Sequence, residues 1–281
     1  MKFLVIGHSV LDLIISGTEQ IISAGGIFYS ISALNKIRQK DDEIFLCSQF
    51  DNDTYNYFSI EFEKINKKYF QVVDKIPRVH LTLQRDSERH ESYENINNNL
   101  SIDISDLEDF EGILINMITG FDIKIEQLIQ IREKFSGLIY MDVHTLSRGI
   151  SDDYKREFRV IPDFEDWAKC LDIIQVNQNE LFSLSSKKRE SEIVEEIFSH
   201  GIKVLCITMG ELGAKVFYPQ QDEIISCFIS AKKISNPISV GCGDVFGASF
   251  FYSYIRNNDA VLSLTKAVLA AEQFVENKLL I

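Results

Sequence analysis

The chain has 281 residues, 45% of them hydrophobic, and its 42 acidic against 29 basic residues leave a formal net charge of −13. That length and apolar content exclude a disordered chain and allow one large domain or two small ones. The acidity makes nucleic acid a poor partner, and the basic run Lys187-Lys188-Arg189 is answered at once by Glu190, Glu192, Glu195 and Glu196.

Phe3 to Ile6 is a short apolar run closed by Gly7, which predicts a buried strand. It is too short for a signal peptide or a membrane span. Leu11 to Ser16 and Gln20 to Ser23 bracket Gly17-Thr18 and predict a hairpin. Gly25-Gly26 opens a helix over Ile27 to Arg38, Ile44 to Ser48 predicts a strand, and the alternating charges of Asp53 to Lys67 predict a helix. Between 70 and 95, the runs at Phe70, Val79 to Arg85 and His90 to Tyr93 alternate apolar and polar positions, as strands with one wet face do. With residues 11–23 they form an expected small sheet protruding from the body, and 95–109 returns as a loop.

From Gly112 the order becomes strand, helix, strand, helix. Strands are expected at Gly112 to Ile115, Leu138 to Val143, Ile173 to Val176 and Val204 to Thr208. Helices are expected at Ile123 to Phe135, Phe164 to Lys169 and Ser186 to Ser199, the last with a capping Ser. Ala214 to Tyr218 and Glu223 to Phe228 read as a hairpin, and helices over 243–256 and 259–277 end the chain. This alternation implies an α/β fold: a mostly parallel central sheet between helical layers, with the small sheet as an insert from about 11–23 and 70–98. Ligands of such sheets bind beyond the carboxyl ends of the strands, so Gly7, Asp142, Asn177 and Thr208 share one rim.

The segment Gly241-Cys242-Gly243-Asp244 at a helix start carries the strongest chemical signal. Amides there form an anion site. Asp244 suits a general base acting on a hydroxyl beside a phosphoryl group held by Gly241, Cys242 and Gly243, or it merely stabilises the first helical turn. Asn177 and Glu180, three apart after a buried strand, either order a hydrated Mg²⁺ beside phosphates, Glu180 through water, or cap the next helix. Asp12 can accept bonds from vicinal hydroxyls of a sugar, with Gly25-Gly26 letting the backbone approach the same ligand or simply turning into the helix. His8 and His144 lie at the same rim and are further candidates for touching substrate, and Ile27-Phe28-Tyr29 either lines an aromatic slot or packs the helix. Five scattered cysteines without metal or redox spacing read as free thiols of a cytoplasmic protein.

Taken in order, Gly7-His-Ser-Val-Leu-Asp12, Ala24-Gly-Gly26, Asn177-Gln-Asn-Glu180, Thr208-Met-Gly-Glu-Leu-Gly213 and Gly241-Cys-Gly-Asp244 resemble the motifs of the ribokinase-like, or PfkB, sugar and nucleoside kinases. The resemblance spans residues 4 to about 255. It implies a three-layer αβα ribokinase-like fold over 1–281 with a β-sheet lid, and an enzyme moving the γ-phosphoryl group of ATP, with Mg²⁺, to a hydroxyl of a sugar, nucleoside or related polyol. By the same resemblance, Asp12, Gly26 and Ser30 face the acceptor, and Thr208, Gly210 and Gly213 run along the nucleotide. A homodimer through the lids is a further expectation. The alternatives are a catalytically weak sugar- or nucleoside-binding sensor or scaffold on this fold, and a lidless hydroxymethylpyrimidine-type kinase.

The chain departs from the pattern at several places. Ser30 stands where the family commonly has a sugar-binding Asn. Ile238-Ser239-Val240 replaces an Asp-Thr-Thr or Asp-Pro-Thr approach to the anion hole, so an Asp that helps organise a monovalent-cation loop is missing. Cys242 replaces a commoner Ala, and the chain ends soon after its last helix, where a wall on the adenine side is expected to be short. Arg148, after Asp142-Val-His-Thr, is either an anion-binding residue or a surface Arg.

Overall fold

The structure is a computed structural model, and it describes residues 1–16, 19–82, 90–96, 99–103, 105–150, 156–235 and 237–278. In chain order its elements are β1 (Lys2–Ile6), β2 (Ser9–Ser16), β3 (Glu19–Gly26), α1 (Ile27–Ile37), β4 (Glu43–Phe50), α2 (Ser59–Phe62), β5 (Phe70–Val72), β6 (Arg78–Thr82), β7 (His90–Glu94), β8 (Gly112–Asn116), α3 (Ile125–Lys134) and β9 (Leu138–Asp142). There follow β10 (Arg148–Ile150), β11 (Arg156–Phe158), α4 (Phe164–Lys169), β12 (Ile173–Asn177), α5 (Glu190–Ser199), β13 (Val204–Thr208), β14 (Gly213–Gln220), β15 (Glu223–Ser230), α6 (Cys242–Asn257) and α7 (Ala260–Lys278).

Nine strands form one sheet in the order β15-β14-β13-β12-β9-β8-β1-β4-β5. It is parallel from β13 to β5, and β14 and β15 close one side antiparallel. The central strands are apolar on both faces because both faces are covered. Phe3, Val5, Leu114, Ile173 and Val204 pack with α1, α6 and α7. Their neighbours Leu4, Ile6, Ile113, Ile115, Ile174 and Leu205 pack with α3, α4 and α5. A one-residue alternation thus feeds two cores, and every parallel strand delivers its last residue to one rim.

A second sheet, ordered β3-β2-β6-β7, rises from that rim. β2 begins three residues after β1 ends, and β3 returns antiparallel to it so that Ser9 faces Gly26 and Asp12 faces Ser23. The expected turn at Gly17-Thr18, residues 83–85 of the strand expected to reach Arg85, and residues 97–98 of the insert lie outside the described residues.

Three expectations are corrected, and one element is new. Phe70 belongs to the large sheet: β5 pairs with β4, and the Phe70 ring packs against Phe50 and Phe62 at 5.4 and 5.6 Å between centroids. The helix expected over Asp53 to Lys67 shrinks to a 3₁₀ turn at Tyr55–Tyr57 and the four-residue α2. Its second half is drawn off by the sheet, because Asn66 donates to the Ile44 carbonyl at 2.8 Å and accepts from Leu46. α5 begins at Glu190, not Ser186, with Arg189 at its N-cap and no side-chain cap bond. The preceding Ser185 is bonded to Glu196. The short hairpin β10–β11 had no counterpart in the sequence reading.

Asp42 ties the start of β1 to α6. Its carboxylate takes bonds from the Met1 amino group (3.0 Å), Tyr252 Oη (2.7 Å), Arg256 Nη2 (2.6 Å) and the Gln39 amide (3.0 Å). Burial works to raise its pKa, but the bonds from Tyr252, the amino terminus and Arg256 outweigh it, and the net direction is down. Because the folded value lies below the unfolded one, the stabilisation is complete above about pH 4 and is lost as pH falls below it. Asp42→Asn is therefore expected to cost about 2 kcal/mol at neutral pH, as for hydrogen bonds to a charged group. Urea midpoints of the two proteins should differ by a constant amount above pH 5 and converge as pH drops below 4. A gap that persists undiminished into acid would contradict this account.

Candidate active site

Where β1, β8, β9 and α6 converge, the rim carries a connected set of polar side chains. Asp244 lies in the first turn of α6, behind Gly241, whose φ of +82° makes it the left-handed N-cap. That conformation, and a Tyr29 ring that a Cβ there would meet at 2.4 Å, both require glycine. The Cys242 amide donates to the Ser239 carbonyl at 3.0 Å. The Gly241 and Gly243 amides make no backbone hydrogen bond among the described residues. Burial pushes the Cys242 thiol up to about 11, with Asp244 acting the same way and Lys278 opposing.

Asn116, the last residue of β8, donates from Nδ2 to Asp244 Oδ1 and to Ser30 Oγ, both at 2.9 Å. Ser30 is fully buried in α1 and is also 3.4 Å from the Asp244 carbonyl. Ser30 is thus a support for the α6 start and does not line the cavity described below. Gln175 in β12 links the same helix to the sheet, donating from Nε2 to the Gly243 carbonyl (3.1 Å) and to Asp142 Oδ2 (2.9 Å). Its Oε1 accepts from Tyr140 Oη at 2.5 Å. Asn116, Gln175 and Tyr140 were missed in the sequence, although a polar residue at or inside a buried apolar strand is a visible anomaly.

The four-stranded sheet closes over this floor and leaves a cavity of about 40 Å³. Asp12, Gly26, His144, Gly241 and Asp244 line it together, so five expected residues meet at one point. Its remaining walls are mostly apolar: Val10, Val79, Leu81 and Ile118, with the rings of Tyr29 and Tyr93. Asp12 is buried and packs against Gly25, where an added Cβ would fall 2.2 Å from its carboxylate. Tyr29 Oη donates to Asp12 Oδ2 at 3.3 Å, and burial raises the Tyr29 pKa. Tyr29 therefore lines the cavity, whereas Phe28 packs on Phe58 and Phe62.

Next along the rim, the Asn177 amide donates to Glu180 Oε2 (2.8 Å), and Asn177 Oδ1 accepts from the amides of Asn179 and Glu180 (2.9 Å each). The Asn177 side chain thus satisfies two amides at the entry to the 3₁₀ turn Glu180–Ser183, whose N-cap is Asn179. Glu180 Oε1 is buried with no hydrogen bond among the described residues, and His144 Nδ1 stands 3.6 Å from it. His144 itself has a φ of +32°, a strained conformation at the cavity wall. Burial drives the Asp142 carboxyl well above the usual range. His144 opposes this, while the charges of Glu180 and Asp244 add to it.

Thr208 pairs with Asn177 across β12 and β13. Gly210 and Gly213 bound the turn beyond it and do not line the cavity. His8 is no wall of it either: its ring and amide both bond Asp122 Oδ1 at 2.8 Å, beneath the rim. Arg148 stacks on Phe158, 4.7 Å from the ring centroid.

No curated protein matches the chain in sequence. Solved structures do match in fold. A pyrophosphate-dependent kinase in the ribokinase family, complexed with a pyrophosphate analog and myo-inositol, superposes with TM-score 0.76 at 17% identity, covering 97% of this chain and 94% of that one. A ribokinase of Arabidopsis thaliana complexed with ribose and ATP gives 0.75 at 16% identity, covering 98% and 92%. A ribokinase of Thermotoga maritima gives 0.69 at 16%, again covering 98% and 92%. The model of the pfkB family of carbohydrate kinases matches residues 127–281, which is more than half of the chain. With that match and this fold, the chain belongs to the pfkB family of carbohydrate kinases.

Proposed function

We propose that this protein transfers a phosphoryl group from ATP, with Mg²⁺, to a hydroxyl of a small sugar, nucleoside or related polyol. The observation that carries the reading is the convergence of Asp12, His144, Gly241 and Asp244 on one cavity at the start of α6. Asp244 accepts the proton of the acceptor hydroxyl, and Asn116 fixes the carboxylate through Oδ1. The Gly241 and Gly243 amides receive the phosphoryl oxygens at the positive end of the helix. Asp12, oriented by Tyr29, accepts hydrogen bonds from acceptor hydroxyls, and the apolar walls suit the face of a ring. Thr208, Gly210 and Gly213 are assigned to the nucleotide side.

Glu180 and Asn177 fit a hydrated Mg²⁺. The buried, unbonded Glu180 Oε1 is an acceptor for metal-bound water, with the Asp142 and Asp244 carboxylates close enough to feel each other's charge. No group of three ligating side chains exists among the described residues, which favours contact through water. When bound, Mg²⁺ neutralises donor phosphate charge.

The small sheet opens to admit an acceptor and then closes over it to exclude solvent. Ile21 and Ile22 are exposed on its edge strand β3 and suit a homodimer through the lids. No helix among the described residues is long and apolar enough to cross a membrane, and we assign the protein to the cytoplasm.

The test is product formation with Mg-ATP, and in parallel with Mg-pyrophosphate, across sugars, inositols and nucleosides, each beside Asp244→Asn. Stimulation by one acceptor that vanishes in the variant is the expected result. Pyrophosphate use without ATP use would replace the donor assignment. Silence with both donors, alongside measurable binding of a nucleoside or sugar, would replace the kinase by a binding protein.

A further inference from the structure

We propose that Lys278 is the cation of the donor phosphate site, an ammonium carried by the last turn of α7 to the edge of the anion hole. The inference rests on reading the α6 start as the place of phosphoryl transfer.

Three observations carry it. Lys278 Nζ donates to the Val240 carbonyl at 2.7 Å, and Val240 is the buried residue immediately before the left-handed Gly241. The same ammonium stands 4.7 Å from the centroid of the Tyr29 ring and 4.6 Å from that of Phe274. Those two rings pack edge to face at 5.7 Å. A carbonyl and two aromatic faces hold one cation in place far better than water holds a surface lysine. Thirdly, the positive charge reaches the first turn of α6, where it acts on the Cys242 thiol against the effect of Asp244. Tyr29 links this cation to the acceptor side, because its ring also lies against Gly241 and its hydroxyl bonds Asp12.

The chemistry gives this charge a task. As the acceptor oxygen bonds to phosphorus, the bond from phosphorus to the donor's bridging oxygen breaks. The acceptor proton passes to Asp244, and the electron pair stays on the bridging oxygen of the departing ADP. Amides and a helix end offer partial charges to these oxygens, whereas Lys278 offers a full one and exchanges no proton. Its position on the Val240 carbonyl also holds the loop that sets the Gly241 amide.

Lys278→Met and Lys278→Arg test the assignment. Calorimetry without acceptor should show Mg-ATP and inorganic pyrophosphate bound about tenfold more weakly by Lys278→Met, a loss of about 1.4 kcal/mol. Its kcat should fall roughly 10- to 100-fold and its donor KM should rise. Its acceptor KM should stay unchanged, and methylammonium should restore part of the loss. Lys278→Arg should retain most donor binding, and serves as the deciding variant if Lys278→Met does not fold. Donor binding and kcat/KM within twofold of wild type in folded Lys278→Met, or a change confined to acceptor KM, would overturn the proposal. If no acceptor supports turnover by the wild type, the kinase reading fails, and the binding arm still decides. Pyrophosphate binding that weakens in Lys278→Met upholds the anion site, while equal or absent binding in both proteins sinks it.

Discussion

Replacing Asp244 by Asn is expected to lower turnover by about two to four orders of magnitude, the usual cost of losing a positioned general base. The geometry makes this substitution unusually clean. Asn116 Nδ2 donates to Asp244 Oδ1 at 2.9 Å, and an amide oxygen in the same place can accept that bond. The backbone bonds that build the helix start, Cys242 to Ser239 and Val245 to Gly241, do not involve the side chain. Fold and donor affinity should therefore survive while proton acceptance is lost. The check is kcat and donor KM for the variant with the acceptor found in the panel. Asn116→Leu is the informative companion, because it leaves the carboxylate chemically intact but removes the bond to its Oδ1. Turnover unchanged in Asp244→Asn would remove the base from this position and reduce Asp244 to a residue that stabilises the first helical turn.

The parts of the site legible in the sequence were those where local chain geometry dictates the residue. Gly241-Cys242-Gly243-Asp244 announces a helix start from four neighbours, and the strand endings at Gly7, Asp142 and Asn177 follow from short apolar runs. Contacts made across the fold left no such trace. Ser30 looked like an acceptor contact because it follows the glycine pair, yet α1 turns it inward to Asn116. Asn116 stands out as a polar residue closing a buried apolar run, but only the β8–α6 contact gives it a task. The helix expected over Asp53 to Lys67 had the right charge periodicity. It lost to hydrogen bonds of Asn66 with β4, a partner some twenty residues away in the chain. Phe70 had an alternation that fits a lid strand and a large-sheet edge equally well, and the rings of Phe50 and Phe62 decided between them.

Gly26→Ala is expected to damage both stability and acceptor use, for one reason. Gly26 closes β3 and caps α1 with φ +59° and ψ −129°, a region that side chains essentially never enter. The space is also taken: an added Cβ would lie 2.6 Å from the His8 carbonyl and 2.9 Å from Ile118 Cγ2. The His8 carbonyl cannot yield cheaply, because it accepts the Ile27 amide at 3.2 Å and lies next to Ser9, which pairs with Gly26. Backbone strain and overpacking together should cost about 2–5 kcal/mol, measured as a fall in urea midpoint. Relief can come only by moving the β3 end away from β2, which carries Gly25 off the Asp12 carboxylate and swings Tyr29 from Asp12. Displacements of that kind at a reacting geometry cost about 10²-fold, so kcat/KM for the acceptor should fall by that order while donor binding changes little. Gly210→Ala supplies the contrast. It shares a positive φ, +58°, but a Cβ there meets nothing within 4 Å, and only the left-handed penalty of about 1–2 kcal/mol applies. Equal losses in the two variants would mean that φ alone governs Gly26. A larger loss at Gly26, with acceptor use impaired only there, is what the close approach of β3 to His8 requires.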